Sequence, residues 1–272
     1  MKNIDVLVRA RRSVRTLEEK PLSPQDLEKL QAFMAECGNP YGLPVSFRLL
    51  DAKAQKLSCP VVLGAEVYVG AKMKKEPHLN EAFGYSFEKL VLYAQSLGVG
   101  TVWVGGTMDR AAFERAMELA EDEVMPCVSP LGYAAKKMSL RETVMRRGVK
   151  ADERMAFGEV FFDGSFGVPL TQERAGKLCH ALEMVRLAPS AVNRQPWRVV
   201  LTDGAAHFYL KRSKGFGGGD IDMQKIDLGI ALCHFELAAR EAGFAPRFVQ
   251  ADPGIAAGDG GEYIASYEYG RA

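Results

Sequence analysis

Ala188-Pro189-Ser190-Ala191-Val192-Asn193-Arg194-Gln195-Pro196-Trp197 is the stretch on which the fold turns. Two prolines fix the backbone, and Ser190, Asn193 and Gln195 place short hydrogen-bonding groups between them. The run reads as a rigid connection from a helix into a strand that begins near Trp197. Its fixed donors and acceptors would suit a planar heterocycle. A rigid connection that seats a core tryptophan accounts for the same residues, and the residues alone leave both readings open.

Upstream of this loop, Pro169-Leu170-Thr171 opens a stretch ending in Lys177-Leu178; Pro21-Leu22-Ser23 opens one ending in Lys29-Leu30, at one constant offset. Thr171 and Ser23 can each accept a hydrogen bond from the first free N–H groups of a helix. Pro24 sits where its missing N–H costs nothing. The first of these helices runs into Gly38-Asn39-Pro40-Tyr41-Gly42 and a strand that begins near Phe47. A second helix recurs as well: Leu92, Ala94 and Gly98 match Leu237, Ala239 and Gly243, again at a common offset, and each copy ends on a glycine suited to a C-cap. Chance likeness of two helix–loop–strand units would give a few such matches. The shared order of elements makes internal duplication the better reading. It predicts one half over residues 1–150 and another over 151–272, joined by a polar connector from Met138 to Val149. Strands mixed with helices point to an α+β layered domain, and halves of this length are expected to pack on each other.

Two further stretches carry candidate chemistry. Arg11-Arg12-Ser13-Val14-Arg15 puts three guanidinium groups and a hydroxyl within five residues, a set that suits a phosphate. A solvated basic helix face has the same composition. Gly98-Val99-Gly100-Thr101-Val102-Trp103-Val104-Gly105-Gly106 would let a ligand approach the backbone closely. Trp103 stands where a dinucleotide-binding G-x-G-x-x-G motif needs its last glycine, so that reading is weak and a buried strand with a turn competes with it.

Taken together, these stretches resemble the FMN-dependent nitroreductase family. Its Arg-Arg-Ser-Val/Ile-Arg start is matched by Arg11 to Arg15, and its Ala-Pro-Ser-x-x-Asn-x-Gln-Pro-Trp loop by Ala188 to Trp197. Gly98 to Gly106 matches its Gly-x-Gly-Thr…Gly-Gly stretch. Leu131-Gly132-Tyr133, followed by Lys136-Lys137, matches its Gly-Tyr step and basic segment. The order departs from the family's. The Pro-Ser-x-x-Asn loop ordinarily follows the Arg-Arg-Ser motif closely, whereas here it lies in the second half. That half has Gly158-Glu159-Val160-Phe161-Phe162 where its own Arg-Arg-Ser motif would fall. In the family FMN lies at a homodimer interface. The resemblance therefore implies a nitroreductase-like α/β/α sandwich, its two halves forming an intrachain pseudo-dimer with one FMN.

Residue by residue, the resemblance implies that Arg11, Ser13 and Arg15 hold the phosphate and ribityl chain, with Arg12 nearby and Lys136 or Lys137 adding positive charge. Pro189, Ser190 and Asn193 would line the isoalloxazine ring, and the N–H of Gly105 or Gly106 would point at flavin N5. Trp103 falls where the family often has proline or another apolar residue. The implied activity is two-step hydride transfer from NAD(P)H through flavin N5 to a nitro compound, quinone or similar small acceptor, with no protein nucleophile and no metal. The alternative is an FMN-binding sensor or pseudo-enzyme.

Composition agrees with this class. A prior of ~150 residues per domain gives 272 residues one large or two small domains. A net charge of +1 gives no global field toward nucleic acid or a membrane surface. Five cysteines without C-x-x-C spacing suit a reducing compartment and mostly buried thiols, and no N-terminal apolar run is present; the expectation is a cytoplasmic protein, and the pseudo-dimer that the resemblance implies makes a monomer the expected state. His78, His180, His207 and His234 form no spaced ligand set; Cys179-His180 and Cys233-His234 read as helix neighbours that point apart. Gly217-Gly218-Gly219 lacks the Lys-Ser/Thr of a P-loop and is expected to be a mobile surface loop that flanks the site, while Lys72-Met73-Lys74-Lys75 is expected to be a solvated charge cluster.

Overall fold

The computed structural model describes residues 1–213, 219–257 and 261–269. The chain divides into two units, Ala10–Ala151 and a second made of Met1–Arg9 with Asp152–Ala272. Helix α1 (Ile4–Ala10) opens the chain, and the N–H groups of Asn3 and Ile4 donate to the Glu241 carboxylate of the second unit.

In the unit Ala10–Ala151, Ser23 Oγ accepts from Asp26 N at 3.1 Å and Pro24 takes the first turn of α2 (Pro24–Glu36), as the helix-start pattern predicts. Strands β1 (Ser46–Asp51) and β2 (Val67–Lys74) pair antiparallel. Helix α3 (Leu79–Ser96) follows; β3 (Val99–Gly100), α4 (Arg110–Ala116), β4 (Glu123–Val124), β5 (Val128–Tyr133) and α5 (Leu140–Gly148) complete the unit. The sheet order is β1-β2-β5-β3, with β4 on the end of β2. Side chains alternate across these strands. Phe47 meets Phe87 of α3 on one face, with ring centroids 6.1 Å apart, and α2 stacks on α3 through Phe33 and Tyr93 at 4.0 Å. On the other face Tyr68 meets Phe113 of α4 edge-on at 5.0 Å. Gly70 lies beside Tyr68 on that face; a Cβ there would lie 2.5 Å from Met117 Sδ, so the Met117 side chain at the end of α4 settles directly on the bare glycine.

In the second unit, α6 (Phe157–Val160) leads into β6 (Phe161–Asp163). Thr171 Oγ1 caps α7 (Gln172–Ala175), but Gly176, at φ +54°, ends that helix after one turn. A short 3-10 turn then leads into α8 (Cys179–Leu187). Strands β7 (Trp197–Leu201) and β8 (Ala205–Leu210) form an antiparallel pair, α9 (Met223–Glu241) follows, and β9 (Arg247–Val249) and β10 (Glu262–Glu268) close the sheet. Its order is β6-β7-β8-β10-β9. Removing the parallel edge strand β6 leaves β7-β8-β10-β9, which repeats β1-β2-β5-β3 strand for strand, with the long helix after the second strand in both. Both long helices end on a left-handed glycine, Gly98 at φ +74° and Gly243 at φ +90°. Phe235 of α9 packs on Phe208 and Tyr267 of the sheet.

Two sequence expectations are corrected. Met138 to Val149 is no loose connector: Ser139 caps α5 and Glu142 is buried. The Lys72–Lys75 cluster is solvated only at Lys74 and Lys75, which are exposed; Lys72 and Met73 belong to strand β2, where Met73 is buried and Lys72 pairs with Glu123 at 2.7 Å. The expectation of mostly buried thiols is met: Cys37, Cys59, Cys127 and Cys233 are buried, and Cys179 is partly exposed at the start of α8. Residues 214–218 of the glycine-rich stretch lie outside the described residues. Among the described residues no helix is long and apolar enough to cross a membrane.

Candidate cofactor site

The segment Arg11–Leu17 is pinned along its length inside the first unit. Val14 N donates to Thr101 O at 2.9 Å, and Leu63 N and Leu17 N form a reciprocal pair with Arg15 O and Leu63 O at 2.8 and 3.0 Å. Ala135 N donates to Thr16 O at 3.0 Å, and Glu18 N to Tyr133 O at 2.9 Å. Two glycines that pair across β3 and β5, Gly100 and Gly132, make room for this: a Cβ on Gly100 would lie 3.0 Å from Val14, and one on Gly132 3.1 Å from Leu17. Val14 and Leu17 are thereby buried, which leaves Arg11, Arg12, Ser13 and Arg15 on partly open ground.

Glu142 completes the fastening. Its fully buried carboxylate accepts from Arg12 Nη1 at 2.7 Å, from Thr16 Oγ1 at 2.9 Å and from Arg15 N at 3.2 Å. Thr16 Oγ1 accepts in turn from Ser139 N at 3.0 Å. Arg12 is therefore the structural member of the basic cluster, paired to Glu142 from the same unit. Arg11 and Arg15 differ: each has a buried Nε with no hydrogen-bond partner. Burial lowers the pKa of both, opposed by Glu88 for Arg11 and by Glu142 for Arg15, while the like charge of Arg146 lowers both further. A buried guanidinium donor without an acceptor carries a desolvation penalty that a bound anion would remove. Lys136 and Lys137 are exposed just beyond β5.

Gly105 and Gly106 form a bend after Val104, which exchanges N–H···O bonds with Val128 at 2.9 Å both ways. Arg110 fixes this bend, donating from Nη2 to Gly105 O at 2.7 Å and from Nη1 to Met125 O at 2.7 Å. The N–H groups of Gly105 and Gly106 donate to nothing among the described residues, and a Cβ on Gly106 would meet no atom within 4 Å. Trp103 is held by α3: its Nε1 donates to Glu88 Oε2 at 3.0 Å, and its ring lies 4.7 Å from that of Phe87.

The loop Pro189–Gln195 of the second unit is held as tightly. Ser190 Oγ accepts from Gln195 N at 2.9 Å, and Gln195 Oε1 accepts from Met155 N at 2.9 Å. Asn193 Nδ2 donates to Glu153 O at 3.0 Å, and its Oδ1 accepts from Arg154 Nη1 at 3.3 Å. Buried Asp227 of α9 accepts from Ala191 N through both oxygens, at 3.0 and 3.1 Å. Desolvation raises the Asp227 pKa well above the ordinary carboxylate range, with Asp222 adding to the rise and the Ala191 N–H opposing it. Val192, Asn193 and Gln195 all have positive φ, at 44°, 58° and 49°. For β-branched Val192 this is strain, of a kind that persists only where the surroundings enforce it.

A family model described as "Putative TM nitroreductase" matches residues 3–239. The chain belongs to this nitroreductase family. A Thermotoga maritima protein described as a putative nitroreductase has the same fold at a TM-score of 0.63 and 21% identity, over 98% of this chain and 93% of that one. An FMN-dependent nitroreductase of Clostridium difficile R20291 aligns at a TM-score of 0.42 and 16% identity, over 52% of this chain and 94% of its own. Among curated proteins no match is found.

In this family member the basic segment and the Pro-Ser-x-x-Asn loop are both held by hydrogen bonds, but the residues that fasten them went unread in the sequence. Glu142 sits three residues after Ser139, the Ser-x-x-Glu pattern of a helix start. Asp227 and Glu88 are buried acids on long, largely buried helices, each between apolar neighbours in sequence on at least one side, and an acid so placed needs a partner. Arg110 and Arg154 gave no such signal.

Proposed function

We propose that this member of the nitroreductase family is an FMN-dependent NAD(P)H oxidoreductase acting on a small organic acceptor. Bound FMN would supply a ring that takes up hydride from a nicotinamide and gives reducing equivalents to the acceptor. The observation that carries the reading is the pair of buried, unpartnered Nε donors of Arg11 and Arg15, on a segment whose backbone is clamped on both sides. Forked cations with unmet donors fit a phosphate better than a solvated helix face, where water would meet them. Ser13 adds a hydroxyl, and Lys136 and Lys137 add positive charge at longer range. The unengaged N–H groups of Gly105 and Gly106 are the donors available to the flavin N5, where charge changes during reduction. Pro189, Ser190 and Asn193 present the ring-facing loop, with Ser190 and Asn193 already fixed by the bonds described above.

The repeated strand order supports a second inference, that the chain arose by duplication of one nitroreductase subunit. The extra strand β6 and the loss of an Arg-Arg-Ser motif in the second copy leave a single phosphate site.

The test is the colour of the purified protein and its response to reductant. A yellow protein whose flavin absorbance is bleached by NADH or NADPH and restored by a quinone or nitroarene supports the oxidoreductase. A yellow protein that neither nucleotide bleaches favours an FMN-binding sensor, and a chain that takes up no FMN overturns both.

A further inference from the structure

The second unit contains a cavity of about 370 Å³ lined by Phe162, Phe166, Tyr209, Arg198 and Lys211, which belongs to none of the groups discussed above. Its origin lies in the repeated topology. In the first unit the sheet face turned away from α3 is filled by α4, whose Phe113 meets Tyr68 and whose following Met117 fits against Gly70. Gly70 is paired with Arg48 across β1 and β2. At the same place in the second unit, Tyr209 is paired with Arg198 across β7 and β8. Among the described residues no helix stands between β9 and β10 to cover that face. Phe166 approaches it instead, edge-on to Tyr209 at 5.0 Å and 5.2 Å from Phe162.

The lining has a definite chemistry. Three aromatic rings form the walls, two cations stand beside them, and no acid is among the described lining residues. The Tyr209 hydroxyl is buried and has no hydrogen-bond partner. Burial first, with Asp252 and Tyr263 adding to it, pushes its pKa up to about 12, so at neutral pH it is a donor in want of an acceptor. Arg198 is held in place by its Nη1, which donates to Trp197 O at 2.6 Å and to Gln195 O at 3.1 Å. Its burial lowers its pKa, opposed by Glu159, and an anion nearby would relieve that cost.

We propose that this cavity is a second small-molecule site, one that takes a planar aromatic carboxylate. The ring would lie among Phe162, Phe166 and Tyr209, with the carboxylate accepting from the Tyr209 hydroxyl beside Arg198. The volume falls at the small end of ligand pockets and fits one or two fused rings. The inference does not depend on flavin binding, because no residue of the Arg11–Arg15 segment or of the Gly105–Gly106 bend lines the cavity.

The test is calorimetric titration of the full chain with 2-naphthoate, both before and after saturation with FMN. The expected result is one site per chain with a dissociation constant of about 1 mM or tighter, unchanged by FMN. Tyr209→Phe is expected to weaken binding about tenfold or more, since a hydrogen bond to a charged acceptor is lost. Octanoate, with the charge but no ring, is expected to bind several-fold more weakly. Phe166→Ala is expected to weaken 2-naphthoate and leave octanoate little changed, which keeps the test decisive if Tyr209→Phe alters the fold. Absence of saturable binding overturns the proposal. So does competition with FMN, loss of binding in Arg11→Gln, or equal affinity in wild type and both cavity variants.

Discussion

Replacing Glu142 by alanine removes the acceptor of three donors at once: Arg12 Nη1 at 2.7 Å, Thr16 Oγ1 at 2.9 Å and Arg15 N at 3.2 Å. The Arg12 ion pair is worth about 1.5–3 kcal/mol, and the bonds from Thr16 Oγ1 and Arg15 N, which also end on the charged carboxylate, fall in the same range at most and do not add in full. The Arg12 side chain is 32% exposed, so water partly replaces its lost partner and the first figure belongs near its lower end. Thr16 keeps its bond from Ser139 N, and the Arg15 N–H has no other acceptor in the hydrogen-bond pattern. The unit should therefore lose about 3 kcal/mol. Glu142→Gln preserves the shape and one good acceptor, and should cost about half as much. Urea unfolding read by Trp103 fluorescence in a Trp197→Phe background reports on the unit that contains Glu142, because these are the chain's two tryptophans. Both variants should also retain FMN less well, since Arg11 and Arg15 lie on the segment that Glu142 fastens. A Glu142→Ala midpoint equal to that of the parent would refute the reasoning that this carboxylate organises the basic segment.

Gly100→Val should cost about 1–3 kcal/mol, because even a Cβ there meets three Val14 side-chain atoms at 3.0–3.1 Å; Gly132→Ala should cost less, since Leu17 presents the free ends of its side chain, and thermal unfolding checks the order. Val192→Gly should leave stability unchanged or raise it by up to about 1 kcal/mol, because it relieves a positive φ of 44°; marked destabilisation would mean that the valine side chain makes contacts worth more than the strain. Asp227 has a folded pKa raised above its unfolded value, so the folded state binds the extra proton and stability falls as pH rises from the ordinary carboxylate range toward the raised value. Asp227→Asn removes that slope, and urea midpoints measured from pH 4 to 8 should fall less steeply for the variant than for the parent. Of the five thiols, Cys179 should react first with a disulfide reagent in the native protein; Cys37, whose pKa burial pushes up to about 11, should wait for unfolding.

Much of the fold was legible because it is written in local chemistry. The Ser23 and Thr171 caps, the left-handed glycines at 98 and 243, and the strands beginning at Ser46 and Trp197 all follow from side chains acting on their own backbone. The near-constant offset of these signals carried the repeat, and the strand order shows the same repeat in three dimensions. What stayed hidden was distant in sequence. Glu142 is 130 residues from Arg12, and its Ser-x-x-Glu start looked like a polar connector because α5 is rich in charge. Asp227 is 36 residues from Ala191, and nothing in the loop itself names its anchor. The cationic cluster was visible as composition. Its division into Arg12, which is paired within the unit, and Arg11 and Arg15, whose Nε atoms are not, depends on burial. Gly100 lies in a stretch that reads as a place where a ligand could approach, yet the close approach there is made by the chain's own Val14, and at Gly132, paired with it, by Leu17. The bend at 105 and 106 keeps that possibility.

The central claim is that Arg11 and Arg15 hold the phosphate of FMN. The direct test compares the affinities of wild type, Arg11→Gln and Arg15→Gln for FMN and for riboflavin, which has the same ring and ribityl chain and lacks the phosphate. Each variant should weaken FMN by about tenfold or more and leave riboflavin unchanged, because the lost interaction is a charge-assisted bond to phosphate alone. Equal loss for both ligands, or no loss for FMN, would contradict the assignment.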